Sequence, residues 1–373
     1  MDLNRIFMKN ACPTKVGGQA ILEGLMMRGS RSLAIAIRQP DGDIHLTVEP
    51  LKKPGSWKKI PVIRGVGSFI SSLVTGTSVL MYGADVLEKL EEAEAQKKAD
   101  QAEAGTAENA GNNVSGKESG AKTAKKPGKT AEKSEGIPKG AVLTSVALAL
   151  VLVVGLFILL PTFILGLVRK AGLSSVILLN LIEGIIRICI FIAYIMAVRK
   201  MPDIRRTFEY HGAEHKTIHC YENGLELTPQ NAQTFYTLHP RCGTSFMMFV
   251  LIIALLVFSL FGWPNLIVRI LTRLICIPFI AGLSYELLQF TGRHDSGLVK
   301  VLSMPGILLQ KLTTCEPTLE QLEVAIAAMK AVLPSHENSA VPVDYWVGVV
   351  KPDGSLVKNE AETAEYIESK QKK

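Results

Sequence analysis

The sequence predicts a mainly α-helical membrane protein, with about four transmembrane helices and small cytoplasmic α+β parts at both ends. Of the 373 residues, 48% are hydrophobic, yet the formal net charge is +7. This combination is expected when apolar spans alternate with charged ends. Four stretches carry few or no charges, at 141–168, 173–198, 246–263 and 266–290. Each is long enough to cross a hydrocarbon core of about 30 Å as a helix.

The distribution of Lys and Arg predicts a multi-pass protein of the cytoplasmic membrane with both termini in the cytoplasm. Arg199, Lys200, Arg205 and Arg206 follow the second span, and six lysines precede the first. The loops predicted on the other side carry Arg169 and Lys170. Because basic residues accumulate on the cytoplasmic side, this asymmetry sets the orientation. The expected partners are the lipid bilayer and an unidentified substrate or protein, and no nucleic acid.

Residues 1–90 are predicted to form a cytoplasmic α+β region. Two short apolar segments, 33–38 and 44–48, flank Pro-Asp-Gly-Asp, which predicts a hairpin with Asp-Gly in the turn. The run 66–83 that follows is uncharged and rich in Ser, Thr and Gly. We favour an interfacial or re-entrant helix there, with a packed helix of this region and a fifth membrane element as alternatives.

Residues 91–139 are predicted to be a disordered basic linker, because they lack aromatic residues and almost all large aliphatic ones. The spans then divide the chain into transmembrane helices 1 and 2 at 140–200, a His-rich cytoplasmic loop at 201–245, and transmembrane helices 3 and 4 at 246–292.

The cytoplasmic tail, 293–373, is predicted to contain an amphipathic helix and a hairpin. The helix starts with a capping box at Thr318 and Gln321. The later stretch YWVGVVKPDGSLV has the same strand, Pro-Asp-Gly turn and strand order as the amino-terminal hairpin. Either the two share a common turn type by coincidence, or the two hairpins pair into one sheet.

The loop at 201–245 holds four of the seven histidines. Pro202 and Gly224 are typical of the start and end of a helix. On that helix, His211, Glu214 and His215 form an HxxEH pattern whose spacing places all three on one face. Two neutral imidazoles there can bind zinc, and the carboxylate can take a proton from metal-bound water.

Three residues are candidates for the third metal ligand: His239, Cys242 and Glu286. The first two follow closely in sequence, and Glu286 lies near the predicted cytoplasmic end of the fourth span. Two other interpretations of the cluster remain. One is a buried set of hydrogen-bonded histidines without metal, and the other is a structural zinc on His219 or Cys220 with the His239–Cys242 pair.

Charges inside the predicted spans form a second feature. Glu183 and Arg187 are spaced i, i+4 in the second span, and Arg269 and Arg273 lie in the fourth. Charged groups in a membrane are costly unless they are buried between helices. We favour a structural ion-pair network, with a polar cavity for a substrate or ion as the alternative.

Several long motifs resemble a known family. GGQAILEGLMMRG, EYHGAEHKTIHCYENG, LHPRCGTSF and SYELLQF are similar to the YqhQ-like bacterial membrane family, over most of the chain outside 91–139 and the extreme tail. Members are described as a domain of unknown function and as predicted metal-dependent enzymes. The resemblance therefore implies a membrane-bound, metal-dependent enzyme.

The favoured functional hypothesis is a zinc-dependent hydrolase that acts at the cytoplasmic face on a peptide or amide bond. His211 and His215 would bind the metal with His239, Cys242 or Glu286, and Glu214 would be the general base. Two other classes remain open: a membrane transporter or sensor of metals or ions, and a non-enzymatic scaffold that binds a protein partner.

Overall fold

The computed structural model describes residues 14–51, 60–110, 139–172, 175–261, 266–294, 296–333 and 345–371. The chain is mostly helical. Its contacts define two compact units, one made of residues 1–90 and 174–373 and the other of residues 91–173. The candidate site described below lies entirely within the first unit.

A six-stranded antiparallel sheet joins the two ends of the chain. Its strands are β1 (Gly17–Ile21), β2 (Gly24–Arg28), β3 (Ser32–Arg38), β4 (Ile44–Pro50), β5 (Trp346–Val350) and β6 (Leu356–Lys358), and they neighbour one another in that order. Ile44 lies opposite Val350, and Val48 lies opposite Trp346. The interpretation that the amino-terminal and carboxy-terminal hairpins pair into one sheet is therefore confirmed.

The hairpin between β3 and β4 is also confirmed. Its turn contains Gly42 at φ +92°, a conformation that favours glycine. The preceding hairpin of β1 and β2 was not predicted, because its turn is made by Leu22 and Glu23 rather than by typical turn residues. Glu23 adopts φ +51° there, which is uncommon for a residue with a side chain.

Eleven α-helices are described. They are α1 (Ile63–Ala110), α2 (Lys139–Val154), α3 (Leu160–Lys170), α4 (Val176–Val198), α5 (Pro202–Glu222), α6 (Pro229–Gln233), α7 (Gly243–Ser259), α8 (Leu266–Arg293), α9 (Gly297–Thr313), α10 (Leu319–Val332) and α11 (Glu360–Gln371), with a π-helical turn at Gly155–Leu159 between α2 and α3. As predicted, Pro202 opens α5, and Thr318 and Gln321 form the capping box of α10.

The sheet is covered on both faces, which explains why successive residues of β3 from Leu33 to Ile37 are all apolar. On β3, Ala34 and Ala36 face α5 and α10, whereas Leu33, Ile35 and Ile37 face α1. This alternation follows the two-residue period of a strand. Burial of each large aliphatic side chain contributes about 1.5–3 kcal/mol, so both helix layers are held firmly to the sheet.

Residues 66–83 belong to α1, which packs on the sheet. Val79 and Val86 of this helix are buried against the apolar face of β1, β2 and β3. The helix continues to Ala110, so the first part of the segment predicted to be disordered is helical. Ala, Glu, Gln and Lys dominate that part, and all are strong helix formers. The rest of the predicted linker, 111–138, lies outside the described residues.

Four helical segments are long and apolar enough to cross a membrane. They are Ile63–Gln96, Ala147–Lys170, Val176–Val198 and Leu271–Arg293. Three of them correspond to predicted spans. The predicted span at 246–263 is instead the shorter apolar helix α7, which ends at Ser259, shortly before the helix breakers Gly262 and Pro264. Helix α7 packs against α4, α8 and α9.

Candidate metal centre

Helix α5 carries the HxxEH residues and lies unusually close to the chain that follows α9. Gly212 makes this approach possible, because a Cβ at this position would lie 2.1 Å from the carbonyl oxygen of Cys315. The Cys315 amide donates to the carbonyl of Phe208 at 2.9 Å, which ties the two segments together. As a result, the backbone around Thr313 runs beside the histidines of α5.

Both histidines of the motif are oriented by backbone carbonyls. Nδ1 of His211 donates to the Thr313 carbonyl at 2.7 Å, and Nδ1 of His215 donates to the Thr237 carbonyl at 2.6 Å. A carbonyl accepts only, so each Nδ1 carries a proton and each Nε2 is the ring atom left to bind a metal. Metal-binding histidines are typically held in this way by their second nitrogen.

Cys242 brings a thiol to the same point. Its Sγ lies 3.1 Å from Nε2 of His211, and one ligand atom from each of His211, His215 and Cys242 lies within 4.8 Å of the other two. A zinc ion with ordinary bond lengths holds such atoms roughly 3.3–3.6 Å apart, so the group needs only a small contraction to fit one. Nε2 of His215 is buried without a hydrogen-bond partner, which also fits a metal ligand.

The loop that presents Cys242 is fixed from α9 by Gln310, which is fully buried. Its side-chain oxygen accepts from the His239 amide at 2.8 Å, and its nitrogen donates to the His239 carbonyl at 2.9 Å. The same nitrogen donates to Ser245 Oγ at 3.1 Å. Sequence reasoning missed Gln310, because an isolated glutamine in an apolar helix gives no signal of its role.

Two further histidines extend the cluster away from Cys242. The ring centroids of His211 and His215 are 4.5 Å apart, those of His215 and His239 are 5.7 Å apart, and those of His239 and His219 are 4.7 Å apart. His219 donates through Nε2 to the Leu238 carbonyl at 2.9 Å. His239, a predicted ligand, therefore lies beside the three-residue group rather than within it. Its buried Nε2 makes no hydrogen bond and is 3.6 Å from Glu222.

Glu222 closes this end of the cluster. Its carboxylate is completely buried and is paired with the guanidinium of Arg241. It also accepts from the backbone amide of Thr14 at 2.9 Å, and Arg241 donates to the Thr14 carbonyl at 3.0 Å. The chain just before β1 is thereby attached to the end of α5.

Glu214 lies on the side of α5 that faces β1. It is 6% exposed, and its Oε1 accepts from the Gly18 amide at 2.7 Å. Gly17 and Gly18 are themselves exposed, so solvent reaches the protein surface next to this carboxylate. A Cβ at position 18 would lie 2.9 Å from Cδ of Glu214, which explains why the strand can approach so closely only with glycine there.

Burial and neighbouring charges shift the pKa values of the side chains in the cluster in different directions. Burial alone would lower the pKa of His211, but the charge of Cys242 and the hydrogen bond to it raise this pKa to about 9. Burial would raise the pKa of Cys242, yet His215 and His211 lower it well below its usual value. Burial lowers the pKa of His219 to about 3 and the pKa of His239 well below 6.5, so both rings are neutral.

Burial also raises the pKa of Glu214, although the nearby charges of His215 and His211 oppose the shift. A carboxylate whose pKa is moved toward neutral pH is better suited to exchange a proton than an ordinary surface carboxylate. Glu214 therefore has the environment of an acid–base group.

Glu286, the third predicted ligand, is engaged elsewhere. Its two oxygens accept from Nε and Nη2 of Arg64 at 2.7 and 2.5 Å, and Oε1 also accepts from the Val62 amide at 3.3 Å. Cys220, proposed for a structural zinc, lies in the hydrophobic core with its Sγ 3.4 Å from the Glu226 carbonyl. The structure thus brings together His211, His215 and Cys242.

Comparisons with known proteins give a family match without an assigned activity. Residues 60–335 match the family described as protein of unknown function (DUF1385). The chain is also 33% identical over 335 residues to a Bacillus subtilis (strain 168) protein named Uncharacterized protein YqhQ, covering 87% of this chain and 94% of that protein. No solved structure matches the chain.

Proposed function

The chain belongs to the DUF1385 family, and from its apolar helices and the geometry of the cluster we propose that it is an integral membrane, metal-dependent hydrolase. The observation that carries the proposal is the convergence of three ligand atoms whose orientation is already set. Both imidazoles present Nε2 toward the Cys242 thiol, because backbone carbonyls hold their Nδ1 protons.

The donor set favours zinc among common metals. Two imidazoles and a thiolate are ligands that zinc prefers, whereas magnesium and calcium prefer oxygen. Three protein ligands leave one position for a water or substrate, as in catalytic zinc sites. When bound, zinc would supply a water of lowered pKa and a Lewis acid for a carbonyl group.

The chain's own residues would do the remaining work. Thr313 and Thr237 orient the imidazoles, and the amide of Gly18 holds Oε1 of Glu214. The second oxygen of Glu214 would take the proton from the attacking water and return it to the leaving amine. Because the surface beside Gly17 and Gly18 is exposed, an extended peptide or amide substrate would approach along that edge.

The first test is the metal content of the detergent-purified protein by elemental mass spectrometry. Wild type should contain about one zinc per chain, as a single site with three protein ligands requires. The His211→Ala/His215→Ala variant should contain none while it remains folded by circular dichroism. A wild-type protein that holds no metal, even when purified without chelator, contradicts the proposal.

Cobalt substitution distinguishes a catalytic site from a closed structural one. Co²⁺-loaded wild type should show a sulfur-to-metal charge-transfer band that is lost in Cys242→Ser. Its visible spectrum should change when a small hydroxamate is added, because the fourth position is open. Glu214→Gln should keep both signatures and lose hydrolysis of a peptide library, and retained turnover in this variant would exclude Glu214 as the base.

A second candidate is a cysteine-dependent hydrolase without metal. It is favoured by one observation: Cys242 caps the start of α7, accepts from the Thr244 amide at 3.4 Å and hydrogen-bonds His211 at 3.1 Å. A thiol at a helix amino terminus beside a histidine is a typical activated nucleophile. Rapid alkylation of Cys242 by iodoacetamide in metal-replete protein would favour this candidate, whereas protection by zinc would favour the metal centre.

The transporter and scaffold hypotheses make different demands on the same chain. Transport would require essential charges along the apolar helices, but Glu286 is paired with Arg64 and Glu183 is paired with Arg187 and Arg273. A scaffold would tolerate replacement of the histidines. Activity or growth effects confined to His211, His215 and Cys242 would therefore support the hydrolase.

A further inference from the structure

A cavity of about 80 Å³ with three charged side chains in a mostly apolar lining lies between α4, α7 and α8, apart from the histidine cluster. Helix α7 lines it with apolar side chains, while α4 contributes Glu183 and Arg187 and α8 contributes Arg273. Two guanidinium groups therefore line the cavity beside one carboxylate. Guanidinium groups placed among apolar helices are suited to bind an oxyanion.

The carboxylate in the cavity is only half satisfied. Oε1 of Glu183 accepts from Nη2 of Arg187 and from Nη2 of Arg273, both at 2.6 Å. The other oxygen, Oε2, is buried and has no hydrogen-bond partner, and the residue is 2% exposed. A buried acceptor without a partner is rare in native proteins, so Oε2 indicates that a hydrogen-bond donor enters the cavity.

We propose that this cavity binds a protonated oxyanion of the phosphate class, either inorganic phosphate or the phosphate monoester of a lipid headgroup. The negative oxygens of the ligand would face the two guanidinium groups, which bind phosphate readily. Its hydroxyl would donate to Oε2 of Glu183. Chloride supplies the charge without the donor, and sulfate carries no proton at neutral pH, so neither satisfies both requirements.

The size of the cavity fits a small tetrahedral ion. The volume of about 80 Å³ is several times the ~10–15 Å³ that one water molecule requires. The guanidinium of Arg273 is also placed by its position over the ring of Phe258, 5.4 Å from the ring centroid. The proposal does not depend on a metal at the histidine cluster, and the two can fail separately.

Isothermal titration calorimetry on detergent-purified protein in phosphate-free buffer tests the proposal. Wild type at pH 7 should bind inorganic phosphate about ten-fold or more tightly than sulfate or chloride, because only phosphate donates to Oε2. Glu183→Gln should lose the preference for phosphate over sulfate, since its amide can itself donate to sulfate. Glu286→Gln is the control: it removes the carboxylate of α8 that pairs with Arg64, away from the cavity, and should keep the preference for phosphate.

Nanodiscs identify the source of the phosphate group. If phosphatidic acid in the disc, compared with phosphatidylcholine alone, suppresses phosphate binding, the ligand is a lipid headgroup; if it does not, the ligand is the free ion. Absence of phosphate binding in wild type, equal binding of sulfate, or a preference that survives in Glu183→Gln would overturn the proposal. If Glu183→Gln does not fold, the affinities of wild type for phosphate, sulfate and chloride still test the proposal.

Discussion

Replacement of Gly212 by alanine should weaken the metal centre without touching any ligand. The new Cβ would lie 2.1 Å from the Cys315 carbonyl oxygen and 3.2 Å from Cγ2 of Thr237. These two segments supply the carbonyl acceptors of His211 and His215, at Thr313 and Thr237. The substitution therefore acts on the groups that orient both imidazoles.

The size of the effect follows from the distances. Ordinary contact requires about 3.4 Å, so α5 and the segment at Cys315 must separate by roughly 1.3 Å. A shift of that size would stretch the 2.7 Å bond between His211 Nδ1 and the Thr313 carbonyl to roughly 4 Å, beyond hydrogen-bonding range. We expect a loss of about 1–3 kcal/mol in stability from overpacking and of about 10–100-fold in metal affinity from the lost orientation.

Competition with a chromophoric zinc chelator measures the affinity, and thermal unfolding in detergent measures the stability. Gly243→Ala is the matched control: it lies next to Cys242, but a Cβ there meets nothing within 4 Å. It should retain wild-type zinc affinity. Equal zinc affinity in Gly212→Ala and wild type, or an equal loss in both variants, would refute the proposed role of the carbonyl acceptors.

Three further predictions concern the rest of the fold. Burial lowers the pKa of His45 from 6.5 to about 4. The contribution of the neutral ring to the free energy of unfolding should therefore be fully present above pH 6.5, and about 3 kcal/mol should be lost as the pH falls to 4. Thermal unfolding measured over this pH range should show the loss, and His45→Gln should reduce the pH dependence. Glu286→Gln should keep zinc but lower the thermal unfolding temperature through the loss of the Arg64 pair, and loss of zinc would make Glu286 a metal ligand after all. Truncation after residue 345 should expose the edge of β4 and cause aggregation on size-exclusion chromatography, and a monodisperse product would contradict this.

Local patterns predicted the elements of this fold well. The Asp-Gly turn, the capping box at Thr318 and the helix from Pro202 depend on neighbouring residues, so the sequence contains what they need. The hairpin of β1 and β2 was missed because Glu23 takes a turn conformation that its residue type does not favour. Helix α1 is longer than the sequence predicts, because a polar, alanine-rich composition is typical of both disordered segments and exposed helices.

The candidate site was only partly predictable for a different reason. The HxxEH spacing is local and identifies His211 and His215. The third ligand depends on how the chain after α5 folds back to bring Cys242 beside them. Gln310 on α9 fixes that loop, and nothing near Cys242 in sequence shows it. Glu286 was an equal candidate until its pairing with Arg64, 222 positions away, was known.

The pairing of β4 with β5 also constrains how the chain can thread a bilayer. Hydrogen-bonded strands cannot lie on opposite sides of a membrane, so if the chain spans a bilayer it crosses an even number of times between Pro50 and Trp346. The described residues contain five apolar helical segments in that interval, counting α7, and five is odd. The segment with the best reason to stay out is α1, whose Val79 and Val86 pack on the sheet. The pairing of β4 with β5 thus constrains the number of membrane crossings to be even, independently of the hydropathy of the helices.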